Sequence, residues 1–207
     1  MRLLRTVLRT RGCSRRGLAT APVAEIKKVG VVGMGLMGHG IAQISAAAGY
    51  HVVGVDLNAE VLAKGRGAVE TSVAKLNSRK ASKNPDFDAP AATEETLARL
   101  SYADSVEAVE DCDLIVEAIV ENMDIKKRFY EDLGQRAKPE AILASNTSSL
   151  AVAPMAAASG RADRFVGLHY CADPCCYRAS LRAPVSLLRE ELVLSHTSAE
   201  SPRGVRG

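Results

Sequence analysis

The first 24 residues of this 207-residue chain contain no acidic side chain, and the first carboxylate is Glu25. Arg2, Arg5, Arg9, Arg11, Arg15 and Arg16 instead interleave with Leu3, Leu4, Val7 and Leu8. A basic, amphipathic stretch without acids has the composition of a mitochondrial transit peptide, with cleavage expected between Arg16 and Thr20. The competing reading is a basic arm for nucleic acid or a membrane surface. No other segment is organised to follow a phosphate backbone, however. Without residues 1–24 the chain holds 21 basic against 24 acidic side chains, so no nucleic-acid partner is expected. An apolar run long enough to span a bilayer is also lacking. The five cysteines form no disulfide framework expected of a matrix protein. Cys13 lies in the leading segment, and Cys112, just before a strand, reads as packing. Cys171, Cys175 and Cys176 lack a second ligand pair at zinc spacing, so no metal site is expected. There are no internal repeats.

What is present is an ordinary globular composition, 47% hydrophobic and 25% charged, enough for one good core. Lys28-Val-Gly-Val-Val reads as a buried parallel strand, and Gly33-x-Gly35-x-x-Gly38 follows it directly. Gly33 allows a tight turn, Gly35 leaves room for a pyrophosphate to approach the backbone, and Gly38 lets a helix pack close to the strand. That helix aims its N–H groups and the positive end of its dipole at the phosphates. Asp56 stands 18 residues beyond Gly38, at the end of a second strand. A carboxylate there accepts both ribose hydroxyls and repels a 2′-phosphate, so the expected cofactor is NAD.

Ile41 to Ala48 reads as an alanine-rich helix ended by Gly49, and Val52 to Val55 as the second strand. Asn58 is a candidate cap for a long helix with apolar or small residues at Val61, Leu62, Gly65, Ala68, Val69, Ser72, Val73 and Leu76. Asn77 to Pro90 reads as a loop or hairpin tip. Thr93-Glu94-Glu95 opens a short helix, and Leu100 to Ala103 is a weaker strand. Further strands are expected over 113–118, 141–145 and 165–169. The helix after the first of these shows Ile125, Phe129 and Leu133 on one face and stops at Lys138-Pro139. Ser149 is a candidate cap for the helix through Ala158. Strands and helices alternating in short steps predict a doubly wound parallel sheet. From Tyr170 the alternation stops, and only Val185 to Leu194 has the pattern of a short helix.

Such sheets place their ligands at the carboxyl ends of the strands. There stand Glu117, Glu121 and Asn122, then Ser145-Asn-Thr-Ser-Ser149, then His169. A hydroxyl and an imidazole beside a nicotinamide suit removal of an alcohol proton while hydride leaves the carbon. Histidine is the natural base, its pKa lying near working pH. Spacing alone leaves a second reading open, in which Ser148 caps a helix and His169 merely ends a strand.

The chain resembles the short-chain (S)-3-hydroxyacyl-CoA dehydrogenases of mitochondrial fatty-acid β-oxidation. The resemblance covers about 28–169. It is carried by the glycine motif, Val55-Asp56, Val116-Glu-Ala-Ile-Val-Glu-Asn122, Ser145-Asn-Thr-Ser-Ser-Leu150 and Phe165-x-Gly-Leu-His169. It implies a Rossmann-type doubly wound parallel sheet with a helical-hairpin insertion. It implies NAD bound by Gly33, Gly35, Gly38 and Asp56, with Glu121 and Lys126 as nicotinamide-side and ribose contacts. Ser148 resembles the serine that hydrogen-bonds the substrate oxygen, and His169 the base that takes the 3-hydroxyl proton. Ser72 and Arg79 fall where the family's hairpin meets coenzyme A. They lie two turns apart on one helix face, with Lys75, Lys80 and Lys83 nearby, a cluster suited to phosphates.

The match breaks after His169. The family has an asparagine where Ala172 stands, and an orienting glutamate where Leu181 stands. Glu190 and Glu191 come too late to be assigned that role. The family's C-terminal helical domain, which closes the cleft and forms the homodimer, has no counterpart in 170–207, which reads as a disordered non-family tail. The expected division is thus a transit peptide over 1–24, an NAD-binding domain over 25–169 and that tail. Three functional readings follow: a matrix hydroxyacyl-CoA dehydrogenase, an NAD-binding fragment with negligible turnover, or a related β-hydroxyacid dehydrogenase. Ser72, Arg79 and the Ser-Asn-Thr-Ser-Ser segment favour the CoA family over the last.

Overall fold

The computed structural model describes residues 25–171 and 178–182. The arginine-rich leader, Cys175, Cys176 and the expected helix over Val185–Leu194 lie outside the described residues.

Strand β1 (Lys28–Val32) and helix α1 (Gly38–Ala47) are followed by β2 (His51–Val55). Helices α2 (Ala59–Ala81) and α3 (Ala89–Leu97) then form a hairpin before β3 (Leu100–Ala103). The second half runs β4 (Leu114–Glu117), α4 (Met123–Arg136), β5 (Ile142–Ser145), α5 (Val152–Ala158), β6 (Phe165–Cys171) and β7 (Arg178–Arg182). The sheet order is β3-β2-β1-β4-β5-β6-β7, parallel from β3 to β6 and antiparallel at β7. The chain steps outward one way from β1 to β3, then the other way from β4 to β6. The carboxyl ends of β1 and β4 therefore flank a topological switch, where such sheets open a ligand crevice.

Both faces of the sheet are covered, which is why the inner strands are apolar at successive positions. Ile41, Ala42 and Ala46 of α1 pack on Val29, Val31, Leu114 and Val116, with Leu62 of α2 beside them. On the other face Tyr130 and Leu133 of α4 and Met155 and Ala156 of α5 pack on Ile115, Leu143 and Phe165. Gly134 seats α4 against α5, since a Cβ there would lie 2.0 Å from the Ser159 carbonyl oxygen. Cys112 is fully buried, and burial pushes its thiol up to about 12, as befits packing.

Four expectations need correcting. Helix α2 continues to Ala81, and α3 starts at Ala89 rather than Thr93. Asp88 Oδ1 accepts from Ala91 N–H, and Pro90 sits in the first turn, where a missing N–H does no harm. Helix α5 starts at Val152 without a side-chain cap, because the Ser149 hydroxyl is directed to Glu121 instead. The buried face of α4 is Lys126, Tyr130, Leu133 and Gly134, while Ile125 is exposed. Finally, β6 runs beyond His169 to Cys171, and β7 pairs with it over 178–182.

Candidate functional site

The turn after β1 is built by close approach. Gly33 has φ 94°, in the region that favours glycine, and its N–H is bonded to the Val55 carbonyl. A Cβ on Gly38 would lie 1.6 Å from the Gly33 carbonyl oxygen, so only glycine lets α1 start this near the strand. At Gly35 a Cβ would meet nothing within 4 Å, and the space above its backbone is open. Among the described residues, no side chain caps the N-terminus of α1 and no acid stands in its first turn. Its positive end faces the crevice uncompensated.

Asp56 closes the next side. Its Oδ2 accepts from Met34 N–H at 2.9 Å and its Oδ1 from Asn58 N–H at 3.0 Å. These two bonds tie the glycine turn to the head of α2, and each oxygen keeps a lone pair for a further donor. Leu57, next to this carboxylate in sequence, and Leu36, in the glycine turn, are 76% and 79% exposed. An uncapped helix start, open backbone at Gly35 and an anchored carboxylate fit the phosphates and adenosine ribose of a dinucleotide.

Beyond the switch point lies a polar cluster. Glu117 and Lys126 are both fully buried, with Lys126 Nζ 2.5 Å from Glu117 Oε1. The same ammonium reaches Glu121 Oε2 at 3.2 Å. Glu121 Oε1 accepts from the Thr147 hydroxyl and, at 3.2 Å, from Ser149. Burial alone would raise the Glu121 carboxyl, but Thr147, the Lys126 ammonium and Ser149 outweigh it and hold it below its ordinary range. Burial, then the Glu117 carboxylate, push the Tyr130 phenol well up, so it serves as a donor to Glu117 and the Ala144 carbonyl. The structure thus joins Glu121 and Lys126 to the Ser-Asn-Thr-Ser-Ser loop. Lys126 meets the crevice only through Glu121.

His169 lies near the end of β6, half-buried, on the sheet face that carries Phe165. Ser148 is exposed in the loop after β5. Asn146 links the two strands: its N–H is bonded to the Glu117 carbonyl, and its Oδ1 accepts from Tyr170 N–H at 2.9 Å. Across the antiparallel pair, Ser180 stands opposite His169 and Leu181 opposite Leu168. Ser72 and Arg79 are not brought to this cluster. They lie on α2, which packs on α1, α3 and β3 on the other side of the sheet. Ser72 is half-buried and Arg79 exposed.

Sequence reasoning placed Glu117 and Asn146 at the carboxyl edge without giving them a role, and overlooked Tyr130. One signal was available for Glu117, a charged residue closing the apolar run Leu114-Ile-Val. No group of three or more His, Cys, Asp or Glu among the described residues is placed to hold a metal ion.

A model of the 3-hydroxyacyl-CoA dehydrogenase NAD binding domain matches residues 28–178. The chain belongs to this family. It is 46% identical over 143 residues to a probable 3-hydroxybutyryl-CoA dehydrogenase of Deinococcus radiodurans, covering 69% of this chain and 49% of that protein. It is 41% identical over 167 residues to the mitochondrial hydroxyacyl-coenzyme A dehydrogenase of Sus scrofa, covering 80% and 53%. Among solved structures, the (S)-3-hydroxybutyryl-CoA dehydrogenase of Ralstonia eutropha superposes with a TM-score of 0.69 at 34% identity, covering 77% of this chain and 55% of that one. The chain spans about half the length of the curated relatives it matches.

Proposed function

We propose that this chain binds NAD at the carboxyl edge of the sheet and serves the oxidation of (S)-3-hydroxyacyl-CoA to 3-oxoacyl-CoA. The observation that carries the reading is the joint geometry of Gly35, the uncapped start of α1 and Asp56. Bound NAD supplies the hydride acceptor. Gly33, Gly35 and Gly38 shape the turn that receives its pyrophosphate, Asp56 takes the adenosine ribose, and Glu121, backed by Lys126, takes the nicotinamide side. His169 accepts the proton of the 3-hydroxyl as hydride leaves C3, and the Ser148 hydroxyl donates to the same oxygen. Ser72 and Arg79 hold the coenzyme A end of the substrate on the outer layer. Residues 1–24 direct the protein to the mitochondrial matrix, and 25–169 form the NAD-binding domain.

Turnover by this chain is expected to be low. An imidazole that must carry a proton works best with a carboxylate to orient it and to stabilise the charge. Where the resemblance places the orienting glutamate, β7 carries Leu181, which stands opposite Leu168. Fluorescence titration of the purified chain with NADH, with and without acetoacetyl-CoA, tests the reading. Saturable NADH binding with little oxidation on adding acetoacetyl-CoA is the expected result. Absence of NADH binding would remove the proposal altogether, and rapid turnover would remove the argument from β7.

A further inference from the structure

Four donors converge on Glu117, a side chain that solvent does not reach. Its Oε1 accepts from Lys126 Nζ at 2.5 Å and from Ile119 N–H at 2.8 Å. Its Oε2 accepts from the Ser145 hydroxyl at 2.7 Å and the Tyr130 hydroxyl at 3.2 Å. The neighbouring Lys126 is also wholly buried, and its ammonium bridges Glu117 to Glu121. Of these three ions only Glu121, 38% exposed, reaches the crevice. A continuous set of contacts therefore runs from the end of β4, through α4, to the loop after β5.

A buried ammonium with a single exposed partner would be poorly held, because both solvation and geometry would be incomplete. Glu117 supplies the second, dry partner, fixed from three elements at once. The lysine is pinned at its inner end, and Glu121 is then pinned by the lysine on one oxygen and by Thr147 and Ser149 on the other. We propose that Glu117 is a positioning residue for nucleotide binding. By anchoring Lys126 it holds the Glu121 carboxylate at the crevice mouth, ready for the nicotinamide-side ribose. The proposal rests on the reading of the crevice as an NAD site, and adds to it a buried residue that never touches the nucleotide.

The full chain is compared as wild type, Glu117→Gln, Ser145→Ala, Lys126→Met and the Glu117→Gln/Lys126→Met double variant. Glutamine keeps the shape of the side chain, and the Ser145 and Tyr130 hydroxyls can turn to accept from its amide. Two readouts are taken: acetylation of Lys126 by a small amine-reactive ester, located by peptide mass spectrometry, and NADH affinity by fluorescence. Lys126 is expected to be protected in the wild type and labelled in Glu117→Gln. The NADH Kd is expected to rise about tenfold in Glu117→Gln, the scale of one lost charge-assisted contact. It is expected to rise no further when that change is added to Lys126→Met.

A purely structural Glu117 would lower the melting temperature and leave the NADH Kd of the folded protein unchanged. That result, or an undiminished effect of Glu117→Gln in the Lys126→Met background, overturns the proposal. Should Glu117→Gln fail to fold, Ser145→Ala removes one donor to Glu117 while keeping every charge. Increased Lys126 labelling and a weaker NADH Kd are then expected, and unchanged values overturn the idea. If the wild type itself fails to bind NADH, the functional reading fails. The labelling contrast still decides whether Glu117 anchors Lys126, and equal labelling refutes it.

Discussion

Gly35 and Gly38 stand three residues apart in one turn and answer to different constraints. A methyl group at Gly38 would collide with the Gly33 carbonyl, whereas one at Gly35 would project into open space. Gly38→Ala is therefore expected to destabilise the fold by about 3 kcal/mol or more, read as a fall in the urea midpoint. Gly35→Ala is expected to leave that midpoint within about 0.5 kcal/mol of wild type while weakening NADH binding in the same preparation. The glycine spacing was legible in the sequence because glycine has few other reasons to recur so closely between a strand and a helix. Lys126 was not legible as a buried residue. An ammonium ordinarily reads as surface, and its burial depends on Glu117 and Glu121, which bond it only once β4 and α4 are folded together.

The elements were legible where pattern and cap agreed. Asn58 caps α2 by accepting from the N–H groups of Glu60 and Val61, and Gly49 follows α1 with φ 101°. They were misread where one polar side chain had two possible partners. Ser149 looks like a helix cap in sequence, yet its hydroxyl joins the Glu121 cluster, so α5 begins two residues later than that cap implied.

Contacts between elements also fix how the sheet responds to acid. Asp113 Oδ2 accepts from both Lys27 and Lys28 N–H at 2.7 Å, and its Oδ1 bonds the Lys138 ammonium. Burial alone would raise this carboxyl, but Lys138 and the two amides outweigh it and hold it below the ordinary range. A depressed carboxylate adds stability above its unfolded pKa, near 4, and that contribution disappears as pH falls through the lower folded value. Wild-type urea midpoints should thus drop below about pH 4, and Asp113→Asn should be weaker at neutral pH with a flatter acid limb. At the other end of the sheet, Asn146 carries β6 past the point where β5 pairing stops at Ser145. Asn146→Ala should speed amide exchange at Tyr170, measured by hydrogen–deuterium exchange, while Val166 stays protected. Equal protection at both sites would show that the side chain does not hold the strand.

At the scale of the molecule, one doubly wound sheet carries every proposed contact on its carboxyl edge or on the α2–α3 hairpin. No helix among the described residues is long and apolar enough to cross a membrane. The architecture of the described residues was legible because strands of four to five mostly apolar residues alternate with helices, and a parallel sheet is the economical way to bury both. The pairing of β6 with β7 was not, since the alternation of Ala179 and Leu181 with polar residues spans only five positions, within a stretch rich in Cys, Pro, Ser and Arg. If residues 1–24 form a presequence, incubation with energised mitochondria should yield a protected product whose new N-terminus lies within 16–25. N-terminal sequencing of that product checks the point.

The open space above Gly35 has an evolutionary consequence. Gly35 has no positive φ, and no neighbour presses on it, so folding places little demand on its identity. A chain retained only as a soluble scaffold would accumulate alanine or serine there by drift long before Gly38 changed. A saturation library sorted solely for soluble expression should tolerate side chains at Gly35 and reject them at Gly38. The same library sorted on immobilised nucleotide should reject them at both. The difference between the two sorts would separate inheritance of a fold from continued selection for its ligand.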